Sequence, residues 1–254
     1  MKVTILGCGT SSGVPRIGND WGACDPSEPR NARRRVSILV ETGESRVLVD
    51  TSPDLRAQLL DAGIGTIDAV IWTHDHADHV HGLDDLRQLF HNRGAPIPGY
   101  ARPGTIEVLR SRFGYVFAGA QGYPATCHLA ALPDTLTLDS LTIYTVDQPH
   151  GSITSAGLVF EADGRRAAYA TDFSAMTPAM IDHYRDLDLW IVDALRRRPH
   201  PTHPHLAEVL RWAATLKPGQ TLLTHMDCSM DYRSLLAELP NRVEPAYDGQ
   251  LVTL

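Results

Sequence analysis

The chain is 254 residues long with 43% apolar side chains, which supplies a sizeable core for one large α/β domain or two small ones. Its formal net charge of −7 argues against a nonspecific grip on a nucleic-acid backbone, because such a grip needs clustered Lys and Arg. Four cysteines, at 8, 24, 127 and 228, form no CxxC pair and are too sparse for a disulfide framework, so they read as reduced thiols.

Runs rich in Val, Ile and Leu predict strands at 2–7, 37–41, 46–50, 69–73, 141–146, 156–161, 167–171, 189–193, 221–224 and 251–253. Helices are predicted over 53–62, with Ser52 as cap and Pro53 in the first turn, and over 178–185, 205–216 and 231–239. Residues 9–34 and 114–128 are rich in Gly, Pro and polar side chains and lack periodicity, so both read as loops, either bordering a site or plain surface excursions. The opening MKVTILGCGTSSGVP reads as a buried strand rather than a secretion signal. No apolar run approaches the ~20 residues a bilayer demands, and a cytoplasmic protein with no membrane partner is expected. With no polar, Pro-rich or Gly/Ser-rich linker, the expectation is a single domain over 1–254. Two layers of hydrophobic strands flanked by helices imply a four-layer αββα sandwich, an α/β fold.

One segment stands apart. Ile71-Trp72-Thr73-His74-Asp75-His76-Ala77-Asp78-His79 places three imidazoles and two carboxylates just past a strand, where a loop can turn them inward together. Packing has no use for that arrangement. Imidazole nitrogen and carboxylate oxygen suit Zn, Mn or Fe. His150, Asp172 and His225 stand at or just beyond later strand ends, in DQPHGS, AYATDFS and LLTHMD, where a sandwich gathers distant ligands at one edge. Taken singly, an Asp after a strand reads as a helix cap and a lone His as a satisfied core residue. Their common placement makes them ligand candidates.

THDHADH resembles the HxHxDH signature of the metallo-β-lactamase superfamily, and the three later candidates follow in that family's order. The resemblance covers nearly the whole chain. It implies that His74, His76 and His150 hold one metal, that Asp78, His79 and His225 hold another, and that Asp172 bridges them. The implied cofactor is therefore two divalent ions, Zn or Mn, with Fe also compatible. Asp50, in VLVDTSPD, matches the family's acidic residue behind the site, which orients a ligand histidine.

Within the superfamily, GCGTSSGVPRIG, the DFS after Asp172, PTHPH and LTHMD together resemble the phosphonate-pathway cyclic phosphodiesterase (PhnP-like) group, which cleaves a ribosyl 1,2-cyclic phosphate. The resemblance implies catalytic roles for Asp78 and Asp172, which position the attacking water, and for His203, which assists at the substrate phosphate. His200 and His205 lie close enough in sequence to compete for that last role. Where the group carries several loop cysteines and a later histidine that build a structural zinc site, WGACDPSEPRN keeps only Cys24, and Cys228 stands three beyond His225. No structural zinc is expected, with Asp20 or Asp25 the only candidates to complete an unusual one.

A small phosphorylated substrate is the expected partner, with no nucleic-acid polymer. Arg16 and the cluster Arg30, Arg33, Arg34 and Arg35 are candidates to contact a terminal phosphate, and Ser11 and Ser12 to offer backbone amides to an anion. Processing of tRNA 3′ ends is disfavoured by the acidic balance and the lack of a basic gripping insertion. Hydrolysis of a carboxylic ester, lactone or thioester stays open, because the same chemistry attacks a carbonyl. A non-catalytic carrier, like the pyrroloquinoline quinone biosynthesis relative, would predict gaps in the ligand set, and none exist here. The segment around Tyr115, Phe117 and Tyr123 is a candidate homodimer contact or substrate lid.

Overall fold

Strands that are apolar at every position, such as AVIW at Ala69–Trp72, or at all but the last, such as LWIVD at Leu189–Asp193, are buried throughout and occupy sheet interiors. The computed structural model describes residues 1–254 apart from Glu44 and Ala120. One sheet comprises β1 (Lys2–Gly7), β2 (Ser37–Glu41), β3 (Arg46–Val49), β4 (Ala69–Trp72), β5 (Ile97–Ala101), β6 (Cys127–Ala131) and β14 (Leu251–Thr253). The other comprises β7 (Thr135–Leu138), β8 (Leu141–His150), β9 (Ile153–Ala162), β10 (Arg165–Ala170), β11 (Leu189–Asp193), β12 (Gln220–Thr224) and β13 (Val243–Pro245). Their orders are β14-β1-β2-β3-β4-β5-β6 and β13-β12-β11-β10-β9-β8-β7.

Alternation along each strand decides what packs where. In β3, Val47 and Val49 face the second sheet and join Ile143, Leu158 and Tyr169, whereas Leu48 faces outward. The outer face of the first sheet is covered by α1 (Leu55–Asp61), α3 (Leu86–Arg93) and α4 (Pro103–Ala118), through Leu55, Leu86 and Leu109. The second sheet is covered by α5 (Pro178–His183), α6 (Leu206–Leu216) and α7 (Tyr232–Glu238), through Met180, Val209 and Leu235. The predicted four-layer αββα sandwich is the observed one. Among the described residues, no helix is long and apolar enough to cross a membrane.

All ten expected strands form, and four more join them. IPGYA of β5 carries Pro and Gly, which read as breakers, and CHLAA of β6 carries few strand-favouring side chains, yet both pair in parallel register within the first sheet. The expected loop 114–128 needs correction, because α4 runs on to Ala118 and β6 begins at Cys127. Its glycines hid a helix whose apolar face packs on the sheet. Loop 9–34 stays irregular apart from a short turn of 3-10 helix at Pro29–Asn31. The expected cap at Ser52 is also corrected: α1 starts at Leu55, while Ser52 Oγ donates to Gln58 Oε1 at 2.9 Å and accepts from the Asp54 N–H at 3.1 Å.

Gly82 sets how closely the histidine-rich segment seats on the first sheet. The Gly82 N–H donates to the Thr51 carbonyl at 2.9 Å, and the Thr51 N–H donates to the His79 carbonyl at 2.7 Å. A Cβ on Gly82 would stand 1.9 Å from the Ser52 carbonyl oxygen, so the two backbones could not stay this close. Gly82→Ala is expected to destabilise the protein by about 1–3 kcal/mol, the usual range for overpacking. Urea denaturation checks this, and an unchanged midpoint would refute the constraint.

Candidate metal centre

The predicted ligands converge. The turn after β4 leads into α2 (Ala77–Val80), a single helical turn that carries Asp78 and His79, with His74 and His76 just before it. From the second sheet come His150 at the end of β8, Asp172 just past β10 and His225 just past β12. Each lies at the edge where the two sheets' strand ends meet.

The distances are those of side chains sharing a cation. His76 Nδ1 lies 3.2 Å from His150 Nε2, and Asp172 Oδ2 lies 3.7 Å from His74 Nε2 and 3.6 Å from His150 Nε2. On the other side, Asp172 Oδ1 is 3.2 Å from His79 Nε2 and 3.5 Å from His225 Nε2, while Asp78 Oδ2 is 3.6 and 3.4 Å from the same two nitrogens. Donor atoms bound tetrahedrally at 2.0–2.1 Å from one zinc stand roughly 3.3 Å apart. Among the described residues, the Nε2 atoms of His74 and His79 are buried without a hydrogen-bond partner, which is costly unless a cation binds there. Asp172 divides its oxygens, one toward each histidine group.

Charge points the same way. Asp50, Asp78, Asp172 and Asp193 are buried, and among the described residues their ion-pair partners are all imidazoles. Burial pushes the His74 pKa well below its ordinary value, leaving the neutral ring that coordinates metals. Burial also opposes charge on His225, yet Asp172, Asp193 and Asp78 outweigh it and raise that pKa to about 9. A pocket that draws protons so strongly is one that favours a cation.

Supporting groups fix the rings. Asp50 Oδ2 accepts from His79 Nδ1 at 2.7 Å, and its Oδ1 accepts the Thr73 N–H at 2.8 Å, which places Asp50 as expected behind the site. His150 Nδ1 donates to the Thr202 carbonyl at 3.0 Å, so its Nε2 faces His76. Three of these residues have positive φ, at 62° for Asp50, 53° for Asp172 and 56° for His225. Such strain is tolerated best by Asp, Asn and His and clusters at functional sites.

His203 lies at the cluster, its ring stacked on His225 at 4.9 Å between centroids. Its Nδ1 donates to Asp193 Oδ2 at 2.7 Å, which leaves Nε2 free. His200 packs against the His203 ring, whereas His205 is held by Glu208 at the start of α6. Asp193 was missed in the sequence, although it closes the apolar run WIVD just as Asp50 closes VLVD. That shared pattern was the available signal.

The arginine candidates separate. Arg30 pairs with Glu28, Arg34 pairs with Asp61, and Arg33 is buried, donating to the Met230 carbonyl at 2.6 Å. Arg16 and Arg35, with Ser11 and Ser12, line a groove that reaches Asp78. Cys24 and Cys228 are buried together beside Val14 and Trp21. Asp20 is engaged by Arg16 and Asp25 by Ser27. Tyr115 and Tyr123 are exposed, but Phe117 packs edge-on against Trp72 instead of joining them.

This fold is that of the metallo-β-lactamase type, and its clustered His and Asp side chains are placed to bind divalent metal. The chain belongs to the β-lactamase superfamily domain family, whose model matches residues 45–226, and within that superfamily it is PhnP-like. A solved structure described as a new diphosphatase from the PhnP family is 37% identical with a TM-score of 0.91, covering 99% of this chain and 96% of that one. An octanoyltransferase of Porphyromonas gingivalis is 32% identical over 98% of this chain and 51% of its own length. A ribonuclease Z of Bradyrhizobium diazoefficiens is 30% identical over 55% of this chain and 48% of its own length. The chain thus spans about half the length of these curated relatives.

Asp50→Asn keeps the shape but removes the carboxylate that holds His79. The expected outcome is about 10- to 100-fold weaker metal retention, the usual effect of losing such an outer partner. Competition with a chelator measures it, and unchanged retention would contradict this role for Asp50.

Proposed function

We propose that the protein is a dinuclear-metal phosphodiesterase acting on a small phosphorylated substrate, such as a ribosyl 1,2-cyclic phosphate. The observation that carries the reading is Asp172, whose two oxygens face separate groups of imidazoles at 3.2–3.7 Å. His74, His76 and His150 would hold one ion, Asp78, His79 and His225 the other, with Asp172 between them. Four buried carboxylates carry a charge that two divalent cations would neutralise. Zn, Mn and Fe all accept this ligand set, and availability decides among them.

Divalent ions bound there supply Lewis acidity, polarising a phosphoryl oxygen and bringing a water's pKa toward neutrality. Asp78 and Asp172 orient the attacking water with their carboxylates. His203, its Nδ1–H held by Asp193, would act as the imidazolium, giving its Nε2 proton to the leaving oxygen as the P–O bond breaks and being left as the neutral ring. Hydrolysis at phosphorus is supported by two of the similar proteins, the PhnP-family diphosphatase and the ribonuclease Z. The octanoyltransferase match supports no acyl transfer here, because about half of that relative lies outside the matched region. The acidic net charge of −7 favours a small substrate over a nucleic-acid polymer.

Elemental analysis paired with hydrolysis of bis(p-nitrophenyl) phosphate and of a p-nitrophenyl carboxylic ester tests the reading. About two ions per chain with diesterase activity are expected, whereas activity on the carboxylic ester alone would overturn the substrate class. His203→Ala should lower kcat by ~10² to 10⁴, the usual worth of general-acid help, with metal content retained. Parallel loss of metal would mean that His203 is structural.

A further inference from the structure

Beyond the last registered pair of β10 with β11, Ala170 with Val192, the chain turns sharply, and Thr171 and Asp172 lie buried outside the ladder. Asp172 has φ of 53° there. Buried carbonyls need donors, and these come from side chains of β8 and β9. Ser155 Oγ donates to the Asp172 carbonyl at 2.7 Å. Gln148 Nε2 donates to the Thr171 carbonyl at 2.8 Å and to Ser155 Oγ at 3.0 Å. Tyr184, just past α5, donates its hydroxyl to Gln148 Oε1 at 2.7 Å. Gln148 and Ser155 face each other across the β8–β9 pair, and all three side chains are at most 1% exposed.

These bonds permit one arrangement. A carbonyl can only accept, so the Gln148 amide must turn its nitrogen to Thr171 and its oxygen to Tyr184. Ser155 then accepts from Gln148 and keeps its single proton for Asp172. Gly157 makes the room: a Cβ there would stand 1.9 Å from Tyr184 Oη and 2.8 Å from Gln148 Oε1. The first sheet uses a simpler version, where Ser37 Oγ reaches the Val49 and Asp50 carbonyls at 2.9 and 3.0 Å and Asp50 has φ of 62°. At Asp172 the serine is itself held by an amide and a phenol. A buried polar chain of this length offers an apolar core no packing that Leu and Phe would not supply, and it ends on the carboxylate that faces both histidine groups.

Building on the dinuclear reading, we infer that Ser155, Gln148 and Tyr184 are positioning residues that lock the Asp172 backbone so that its carboxylate serves both ions at once. The Asp172 side chain is short, so a small rotation of its backbone swings both oxygens. With four histidine nitrogens at 3.2–3.7 Å, the carboxylate cannot lean toward one group without leaving the other. A loosened Asp172 can follow a single ion but cannot satisfy two. Weakening the chain of hydrogen bonds therefore penalises the second ion far more than the first.

Titration of the metal-stripped protein with Mn(II), followed by electron paramagnetic resonance, tests this. The wild type should take up two ions and show the spectrum of a spin-coupled pair. Ser155→Ala, which orphans the Asp172 carbonyl and one Gln148 N–H, should bind the second ion roughly 10- to 100-fold more weakly and the first nearly as before, the usual effect of losing an outer partner. Its spectrum at one added ion should be that of isolated Mn(II). Tyr184→Phe removes a single oxygen at the far end of the chain and should show the same split at about three- to tenfold, the worth of one neutral hydrogen bond. Leu89→Ala, a truncation on α3 in the outer layer, should lower the melting temperature without altering either affinity. Unchanged second-ion binding in folded Ser155→Ala and Tyr184→Phe, equal weakening of both ions, or the same split in Leu89→Ala would overturn the inference and leave the dinuclear reading intact. A wild type that holds one Mn(II) at saturation would instead overturn the dinuclear reading.

Discussion

Four carboxylates buried at one edge of a β-sandwich, with imidazoles as their only ion-pair partners among the described residues, are the constraint around which this molecule is built. Burying such charge without compensation is prohibitive, so every surrounding element must either donate to it or leave room for a cation. Thr73 donates twice to Asp50, from its backbone and its hydroxyl. The Thr171 hydroxyl donates to Asp172 Oδ1 at 2.5 Å. These threonines follow apolar strands, where a β-branched side chain packs well and its hydroxyl still reaches the edge. The strained backbone at Asp50, Asp172 and His225 follows from the same demand, because each chain must turn sharply at the strand end to aim its side chain at one point.

The long loop 9–34 is a second consequence of that edge. It has little regular structure of its own, yet it is stitched to the segment that follows His225. The Thr10 N–H donates to the Met226 carbonyl, the Ala23 N–H to the Cys228 carbonyl and the Tyr232 N–H to Asn31 Oδ1, at 3.1, 2.8 and 2.8 Å. Arg33, buried in the seam, reaches the Met230 carbonyl. The groove wall carrying Ser11 to Arg16 is thereby fixed to the same backbone that presents a metal-site histidine. Of the five arginines in this part of the sequence, Arg30 and Arg33 serve the seam, Arg34 pairs with Asp61, and Arg16 and Arg35 reach the groove.

Much of this was legible in the sequence. Strand positions followed from apolar runs, and the seven ligand candidates followed from residue type, spacing and placement at strand ends. Legibility failed where the local signal opposed the tertiary outcome. Pro98 and Gly99 concealed β5, since a single strand reading gives no credit for parallel neighbours on both sides. Glycines at 104 and 114 concealed α4, whose stability comes from packing its Ile106, Leu109 and Val116 into the cluster around Trp72 rather than from helix propensity. Asp193 escaped notice because an aspartate closing a strand has many ordinary uses, and only its 2.7 Å bond to His203 distinguishes this one. No sequence pattern could have told the groove arginines from the seam arginines, because the choice depends on which acids happen to face them.

Each histidine group draws two members from the turn after β4 and one from the second sheet: His74 and His76 with His150, Asp78 and His79 with His225. A cation held by either group is therefore a clasp across the open edge of the sandwich, joining layers whose interior contact is largely apolar. The first group can close once His150 has been made, whereas the second must wait for His225, so the clasp forms in two stages and its occupancy sets how firmly the layers stay together.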